Sequence, residues 1–199
     1  MATTKITVPQ SYDQITLGDY VAYKMAKNDF ERLTVVTKKP KKFIDNLQAD
    51  SIDEILAMYE LATVTGQPKH ESHFLVDAKR FGFIPDMDAL TFREHVDLDA
   101  YATQIWKGGE VHYEHLVSLC SILFRPVTGM FGKYYDISVY DADKVKRDKP
   151  YIENITMDRV NGALVFFSTI AKELVTNSLD SLEVLRREMI MMATQLQVD

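Results

Sequence analysis

The sequence has little of what secreted and membrane proteins use for stability or anchoring. Its single cysteine permits no internal disulfide and no zinc site with several thiolate ligands. No apolar signal-peptide segment occurs near residue 1. The longest uncharged apolar stretch, residues 160–171, has 12 residues, against roughly 20 for a membrane-spanning helix. We therefore expect a protein of a reducing compartment such as the cytosol.

An excess of positive charge is also missing. The chain has 23 Lys and Arg against 29 Asp and Glu, a net charge of −6, which argues against nucleic acid or an anionic membrane as the main partner. The 46% hydrophobic and 26% charged residues are typical of a globular domain. Two basic clusters, Lys38–Lys42 and Lys144–Lys149, contain no interleaved aromatic residues and are interpreted as solvated loops.

Recognised catalytic and cofactor-binding motifs are absent from the sequence. It contains no dinucleotide-binding G-x-G-x-x-G, no hydrolase G-x-S-x-G and no kinase signature. Gly132 followed by Lys133 resembles the end of a phosphate-binding loop. The resemblance does not extend further, because Gly129 and Gly132 lack the required glycine spacing. We expect no cofactor and no enzymatic activity.

One pair of histidines keeps an enzymatic alternative open. His112 and His115 are three residues apart on a predicted helix, with Glu110 and Glu114 beside them. Such a pair can share a metal ion, although the sequence HYEH does not place the glutamate as a zinc protease does. These histidines are weak candidates for the ligands of a metal-dependent hydrolase.

The first third of the chain has the apolar periodicity of helices. Thr16 caps a helix predicted to end near Asn28, and a short helix follows over residues 40–47. A capping box of Ser51 and Glu54 begins a third helix. The buried face of that helix is predicted from the 3.6-residue spacing of its apolar positions, which are Ile52, Ile55, Leu56, Tyr59 and Val64.

The middle of the chain changes to the period of β-structure. Residues 73–76 and 80–84 are predicted to form a hairpin, and residues 125–129 to pair with a strand at 133–140. Two helices lie between these strands. One begins at a capping box of Thr91 and Glu94, and the other covers residues 111–123.

The last forty residues are predicted to be helical in two pieces. Thr156 caps the first, and the second carries apolar residues with the alternating three- and four-residue spacing of a coiled-coil seam. Residues 189–192 are all apolar and cannot all face one seam, so a second surface must cover some of them. That surface is either the protein's own N-terminal helices or a partner. The predicted partner-binding residues are Leu182, Leu185, Met189, Met192 and Leu196.

These patterns together predict an α+β protein. We expect a mostly helical single domain with a small antiparallel β-sheet of three or four strands. Residues 1–68 are predicted to form an N-terminal helical subdomain. Residues 69–199 are predicted to form an α+β core with long C-terminal helices, packed with the first part as one compact unit.

Several sequence blocks resemble one group of proteins. They are ITLGDYVAYKMAKNDFERL, MDALTFREHVDLDAY, LVSLCSILFRPV, KYYDISVYD and MDRVNGALVFFSTIAKEL. Together they resemble small proteins encoded among the virion-morphogenesis genes of tailed bacteriophages, some of which are described as tail-assembly-chaperone-like. The blocks cover about two-thirds of the chain and carry no catalytic signature.

The resemblance implies a non-enzymatic assembly role in the cytoplasm of an infected host. A protein of this kind would bind a phage tail or virion structural protein, such as the tape measure, through apolar helical surface. It could also associate with its own copy. The alternative within the same setting is a structural virion component, a head-tail connector or ring subunit, which would be located in the virion.

Overall fold

The computed structural model describes residues 6–105, 107, 111–132 and 134–166. This part of the chain combines α-helices with one four-stranded antiparallel sheet, so the protein has the predicted α+β fold. One compact unit extends to Ala163, and a second begins at Leu164. The helices are α1 (Leu17–Met25), α2 (Asp29–Thr37), α3 (Lys41–Ile44), α4 (Ala49–Val64), α5 (Phe92–Ile105), α6 (Leu116–Leu123), α7 (Ala142–Glu153) and α8, which begins at residue 157. The strands are β1 (His73–Val76), β2 (Lys79–Phe83), β3 (Phe124–Phe131) and β4 (Tyr134–Ile137).

The first two helices each begin at a side-chain cap. Thr16 Oγ1 accepts the Asp19 amide at 3.2 Å, as predicted for the start of α1. The helix ends at Met25, before the predicted end. Asn28 does not end a helix but begins α2, because its side-chain oxygen accepts the Glu31 amide at 3.0 Å.

The predicted start of α4 is wrong. The helix begins at Ala49, and its N-cap residue Gln48 makes no side-chain capping bond. Ser51 therefore lies inside the helix and does not form the expected capping box with Glu54. The buried residues of this helix are Ile55, Tyr59 and Ala62, and Val64 is on the exposed side.

The sheet has the strand order β1-β2-β3-β4, with every neighbouring pair antiparallel. The β1–β2 hairpin turns at Asp77 and Ala78, whose φ values of 48° and 64° are positive. Two positive φ values give the type I′ turn, whose twist matches that of the flanking strands. The register of β3 and β4 shifts between Val127 and Gly129, where the ladder contains an irregularity.

One face of the sheet forms the aromatic core of the compact unit. The rings of Phe74 and Phe124 meet edge to face at 5.3 Å, and Phe83 meets Phe124 in the same way at 5.7 Å. On the other face, the Tyr135 ring lies across Gly82, and a Cβ at that position would be 2.5 Å from the ring. The Tyr135 hydroxyl donates to the Phe83 carbonyl at 2.6 Å, which fixes the ring in place.

Two of the three central helices were predicted, and one was not. The capping box of Thr91 and Glu94 is confirmed, since Glu94 accepts the Thr91 amide at 2.7 Å and Thr91 Oγ1 accepts the Glu94 amide at 3.3 Å. A 3-10 turn leads into α6, which ends at Leu123 because the next residue already belongs to β3. The basic segment Lys144–Lys149 is helical, as part of α7, and not a loop.

Residues from both ends of the compact unit pair with each other. Thr16 and Thr156 form an antiparallel bridge. Beside it, the Leu17 amide donates to the Ile155 carbonyl at 2.7 Å, and the Met157 amide donates to the Ile15 carbonyl at 2.9 Å. The start of α1 and the start of α8 are thereby held together.

Candidate protein-binding surface

The predicted partner-binding seam lies outside the described residues. Its members are Leu182, Leu185, Met189, Met192 and Leu196, all beyond residue 166. The seam stays a prediction. A surface for a partner must therefore be sought among the residues that the structure does describe.

The weak metal candidates lie close together around one carboxylate. His112 Nδ1 is 3.5 Å and His115 Nε2 is 4.0 Å from Glu114 Oε1. Among the described residues, no cluster of three or more His, Cys, Asp or Glu side chains has a geometry that could hold a metal ion. Glu110, which the sequence also places nearby, lies outside the described residues.

The single cysteine has the environment of a structural residue. Cys120 is fully buried on α6, and burial raises the pKa of its thiol to about 12. The thiol is therefore protonated at neutral pH, whereas a cysteine nucleophile must react as the thiolate.

An open groove of about 440 Å³ lies between the start of α1 and the end of α7. Its ionisable lining residues are Asp19, which pairs with Lys38, and Glu153. No lining residue is a histidine, cysteine or lysine.

A buried ion pair joins α5 to β3. Arg125 Nη1 is 2.7 Å from Glu94 Oε1, and the two side chains are only 9% and 5% exposed. Nearby, the Tyr140 hydroxyl donates to Asp97 Oδ2 at 2.5 Å. Burial raises the pKa of Asp97, but hydrogen bonds from Tyr140 and Arg93 outweigh it, and the net pKa is lowered. Because these charges are engaged with one another, the cluster holds elements together and leaves no acid or base free.

The outer face of α4 carries three large apolar side chains that stay in water. Met58 is 42%, Leu61 is 65% and Val64 is 75% exposed. Their three-residue spacing places them along one side of the helix. Single exposed apolar residues are ordinary on protein surfaces, but a row of them on one helix is typical of an interaction site.

The opposite face of α4 is the one that packs in the core. Tyr59 is buried, with its ring centre 4.5 Å from that of Tyr23 on α1, and Ala62 is fully buried. Burial raises the pKa of Tyr59, so the phenol stays neutral. The C-terminal half of α4 is therefore apolar on both sides, and only one side is covered within the described part of the chain.

The N-terminal half of the outer face is acidic. Asp50, Asp53 and Glu54 are all exposed, and none of them forms an ion pair with another described residue. Glu60, at the edge of the apolar half, does have a partner, because Lys24 on α1 lies 3.1 Å from its carboxylate. We use "outer face of α4" for Asp50, Asp53, Glu54, Met58, Leu61 and Val64.

A second exposed apolar region is the tip of the β3–β4 hairpin. Phe131 is 87% exposed there, beside Met130 and Tyr134, which are also exposed. These residues lie at the end of β3 and the start of β4, whereas the outer face of α4 extends along one side of a 16-residue helix. Sequence periodicity indicated neither of them as a binding surface.

Comparison with known proteins does not assign the chain to a family. No family model, curated protein or solved structure matches it. None of the helices in the described ranges combines the length and apolar character needed to cross a membrane.

Proposed function

We propose that the protein is a non-enzymatic assembly factor of a tailed bacteriophage, similar to a tail assembly chaperone. It binds a tail or virion structural protein in the host cytoplasm through apolar helical surface. The outer face of α4 is the observation that carries this proposal. The phage setting is supported by the resemblance of the sequence blocks and by no structural observation.

The apolar half of this face can supply part of a contact. Complete burial of a Val, Leu or Met side chain is worth about 1.5–3 kcal/mol. Covering the exposed fractions of Met58, Leu61 and Val64 would then contribute roughly 3–5 kcal/mol, which the cost of association, about 4–15 kcal/mol, offsets. Further surface must add to it, and the seam from Leu182 to Leu196 is our candidate.

The test is co-purification with co-expressed tail and virion structural proteins, beginning with the tape measure protein. A Met58→Asp, Leu61→Asp variant should lose the bound protein, because two charges would have to be buried in the contact. Leu75→Asp, Val139→Asp is the matched control, since both residues are exposed elsewhere on the surface and the variant adds the same two charges. Retention of the partner by the α4 variant would overturn the assignment of this face.

The C-terminal seam is tested in the same way. A Met189→Asp, Met192→Asp variant should lose association and still unfold cooperatively in urea. If this variant does not fold, the seam belongs to the protein's own core and the assignment of these residues as partner-binding is wrong.

Two alternatives give different results. A structural virion component would be found in purified particles, whereas a chaperone leaves before the particle is complete. A metal-dependent hydrolase would carry a stoichiometric metal ion in its native mass spectrum. That ion would be lost when His112 and His115 are both replaced by alanine, and such a result would refute the non-enzymatic proposal.

A further inference from the structure

We infer that the segment bound by the outer face of α4 is a basic amphipathic helix. It would carry an apolar stripe in one half and a group of lysine or arginine residues in the other. This inference rests on the proposed function, because it names the class of partner for the same surface. It is carried by the arrangement of charged and apolar side chains along α4.

The outer face is divided along the helix axis into two halves of different chemistry. Its first half presents the exposed carboxylates of Asp50, Asp53 and Glu54. Its second half presents Met58, Leu61 and Val64. A helix rises about 1.5 Å per residue, so the centres of the two halves are separated by roughly 13 Å. A partner helix that covers both halves needs about 14 residues, or four turns.

The carboxylates determine the sign of charge that the partner must carry. An apolar partner helix would cover the second half and bring three carboxylates against its own uncharged end, with loss of their hydration. Lysine or arginine side chains at that end would instead pair with the carboxylates at the rim of the contact. Charge pairs of this kind select the partner and fix its register more than they add affinity.

A second copy of this chain fits the face less well. In a parallel arrangement, the carboxylates of Asp50, Asp53 and Glu54 would lie against those of the other copy, and like charges repel. In an antiparallel arrangement they would lie against Leu61 and Val64 of the other copy, or beyond the contact, and would stay unpaired. The net charge of −6 adds to the repulsion between copies.

The test measures binding of labelled synthetic helical peptides to the full chain by fluorescence anisotropy. The probe peptide has leucines in a helical stripe in one half and three lysines in the other. In the first matched peptide the lysines are replaced by glutamine, and in the second the leucines are moved off the stripe. We expect the probe peptide to bind more tightly than either matched peptide. Its affinity should fall as the salt concentration is raised from about 0.05 to 0.3 M.

The decisive variant neutralises the acidic half of the face by Asp50→Asn, Asp53→Asn and Glu54→Gln. Its affinity for the probe peptide should be about tenfold lower, since three exposed charge pairs each contribute a small factor. Its affinity for the glutamine peptide should be unchanged. The control neutralises three exposed carboxylates elsewhere, by Asp88→Asn, Asp99→Asn and Asp136→Asn. This control changes the net charge equally and should alter probe binding by less than about twofold.

The outcomes separate this inference from the proposed function. The inference of a basic partner helix is overturned if the probe and the glutamine peptide bind with equal affinity. It is also overturned if the two neutralised variants lower the affinity for the probe equally. If Met58→Asp, Leu61→Asp still loses the phage protein in that case, the proposed function stands without it. The native mass spectrum could instead show a dimer that the Met58→Asp, Leu61→Asp variant no longer forms. The face would then be a contact between two copies of the chain, which also overturns the inference.

Discussion

Replacing Glu94 by glutamine tests whether the buried ion pair between α5 and β3 holds the fold together. Glutamine preserves the length of the side chain but has one acceptor oxygen in place of two. Glu94 Oε1 faces Arg125, and Oε2 accepts from the Thr91 amide and hydroxyl, so the glutamine NH2 must face one of these donors. The substitution therefore removes the negative charge together with one acceptor. Arg125 remains, with its charge buried and unpaired.

The expected loss of stability is large because Arg125 has little other compensation. Its side chain is 9% exposed, and its Nε has no hydrogen-bond partner among the described residues. Burial already lowers the pKa of its guanidinium, opposed by the charge of Glu94. Removing one partner of a buried ion pair costs about 3–5 kcal/mol. That is a substantial part of the roughly 5–15 kcal/mol that stabilises a typical domain.

The measurement is urea unfolding followed by circular dichroism at neutral pH. Glu94→Gln should lower the midpoint without changing the slope, since the surface exposed on unfolding is the same. Glu60→Gln is the matched control, because its partner Lys24 is near the surface at 3.1 Å. An exposed pair of this kind is worth about 0–1 kcal/mol, so the control should unfold close to the original midpoint.

A double variant separates the ion pair from other effects of the substitution. Replacing Arg125 by methionine as well as Glu94 by glutamine removes the unpaired charge, so the double variant should be more stable than Glu94→Gln alone. A cost below about 1 kcal/mol for Glu94→Gln would refute the reasoning. So would a double variant whose loss equals the sum of the two single losses.

Three further predictions concern the backbone and the pH dependence of stability. Ala78→Gly should raise the free energy of unfolding by about 1 kcal/mol, because an L-residue at φ 64° is strained and glycine is not; urea unfolding measures this. Gly162→Ala should lower it by about 1–3 kcal/mol by the same assay, since a Cβ would overlap the backbone of Lys69. Burial raises the pKa of Glu71, but hydrogen bonds from Lys69 and Arg159 outweigh it and lower the pKa below the ordinary 4.5. Its stabilising contribution is therefore present above pH 4.5 and lost as the pH falls through the lowered pKa. Thermal unfolding across that range should show a shallower acid decline in Glu71→Gln.

The strands and several helix starts could be predicted because their signals are local. The hairpin of β1 and β2 follows from two short apolar runs around a turn, although Asp77 and Ala78 lack the glycine that such turns favour. Thr16 and Thr91 cap helices because a side-chain oxygen reaches an amide three residues on. These interactions span only a few residues, so they are visible in the sequence.

The helix α7 could not be predicted from apolar periodicity. The segment is highly charged, it contains Pro150, and the only residue it buries completely is Ile152. It is helical because Asp141 caps its start and because the rest of the chain supplies contacts. Lys79 on β2 lies 2.5 Å from Asp148, and Tyr151 packs against Phe81. Those partners are about seventy residues away in the sequence.

The outer face of α4 was missed for the opposite reason. Its C-terminal half has so many apolar residues that more than one set of them has the 3.6-residue spacing of a buried helix face. Val64 was assigned to the buried stripe but is exposed, whereas Ala62 is buried. Counting apolar residues on both sides of the helix would have revealed a second stripe, although only packing decides which one is covered.

The bridge between Thr16 and Thr156 has a consequence for how the protein forms on the ribosome. The two residues are 140 positions apart, and chain synthesis proceeds at about 5–20 residues per second. The carbonyl of Ile155, which accepts the Leu17 amide, is therefore synthesised roughly 7–28 s after Leu17. During that time α1 can pack against α2 and α4, as Tyr23 does against Tyr59, but its first residues have no strand partner. The start of α1 can therefore pair with the start of α8 only after residue 157 has been synthesised, which makes this pairing a late step in the biosynthesis of the compact unit.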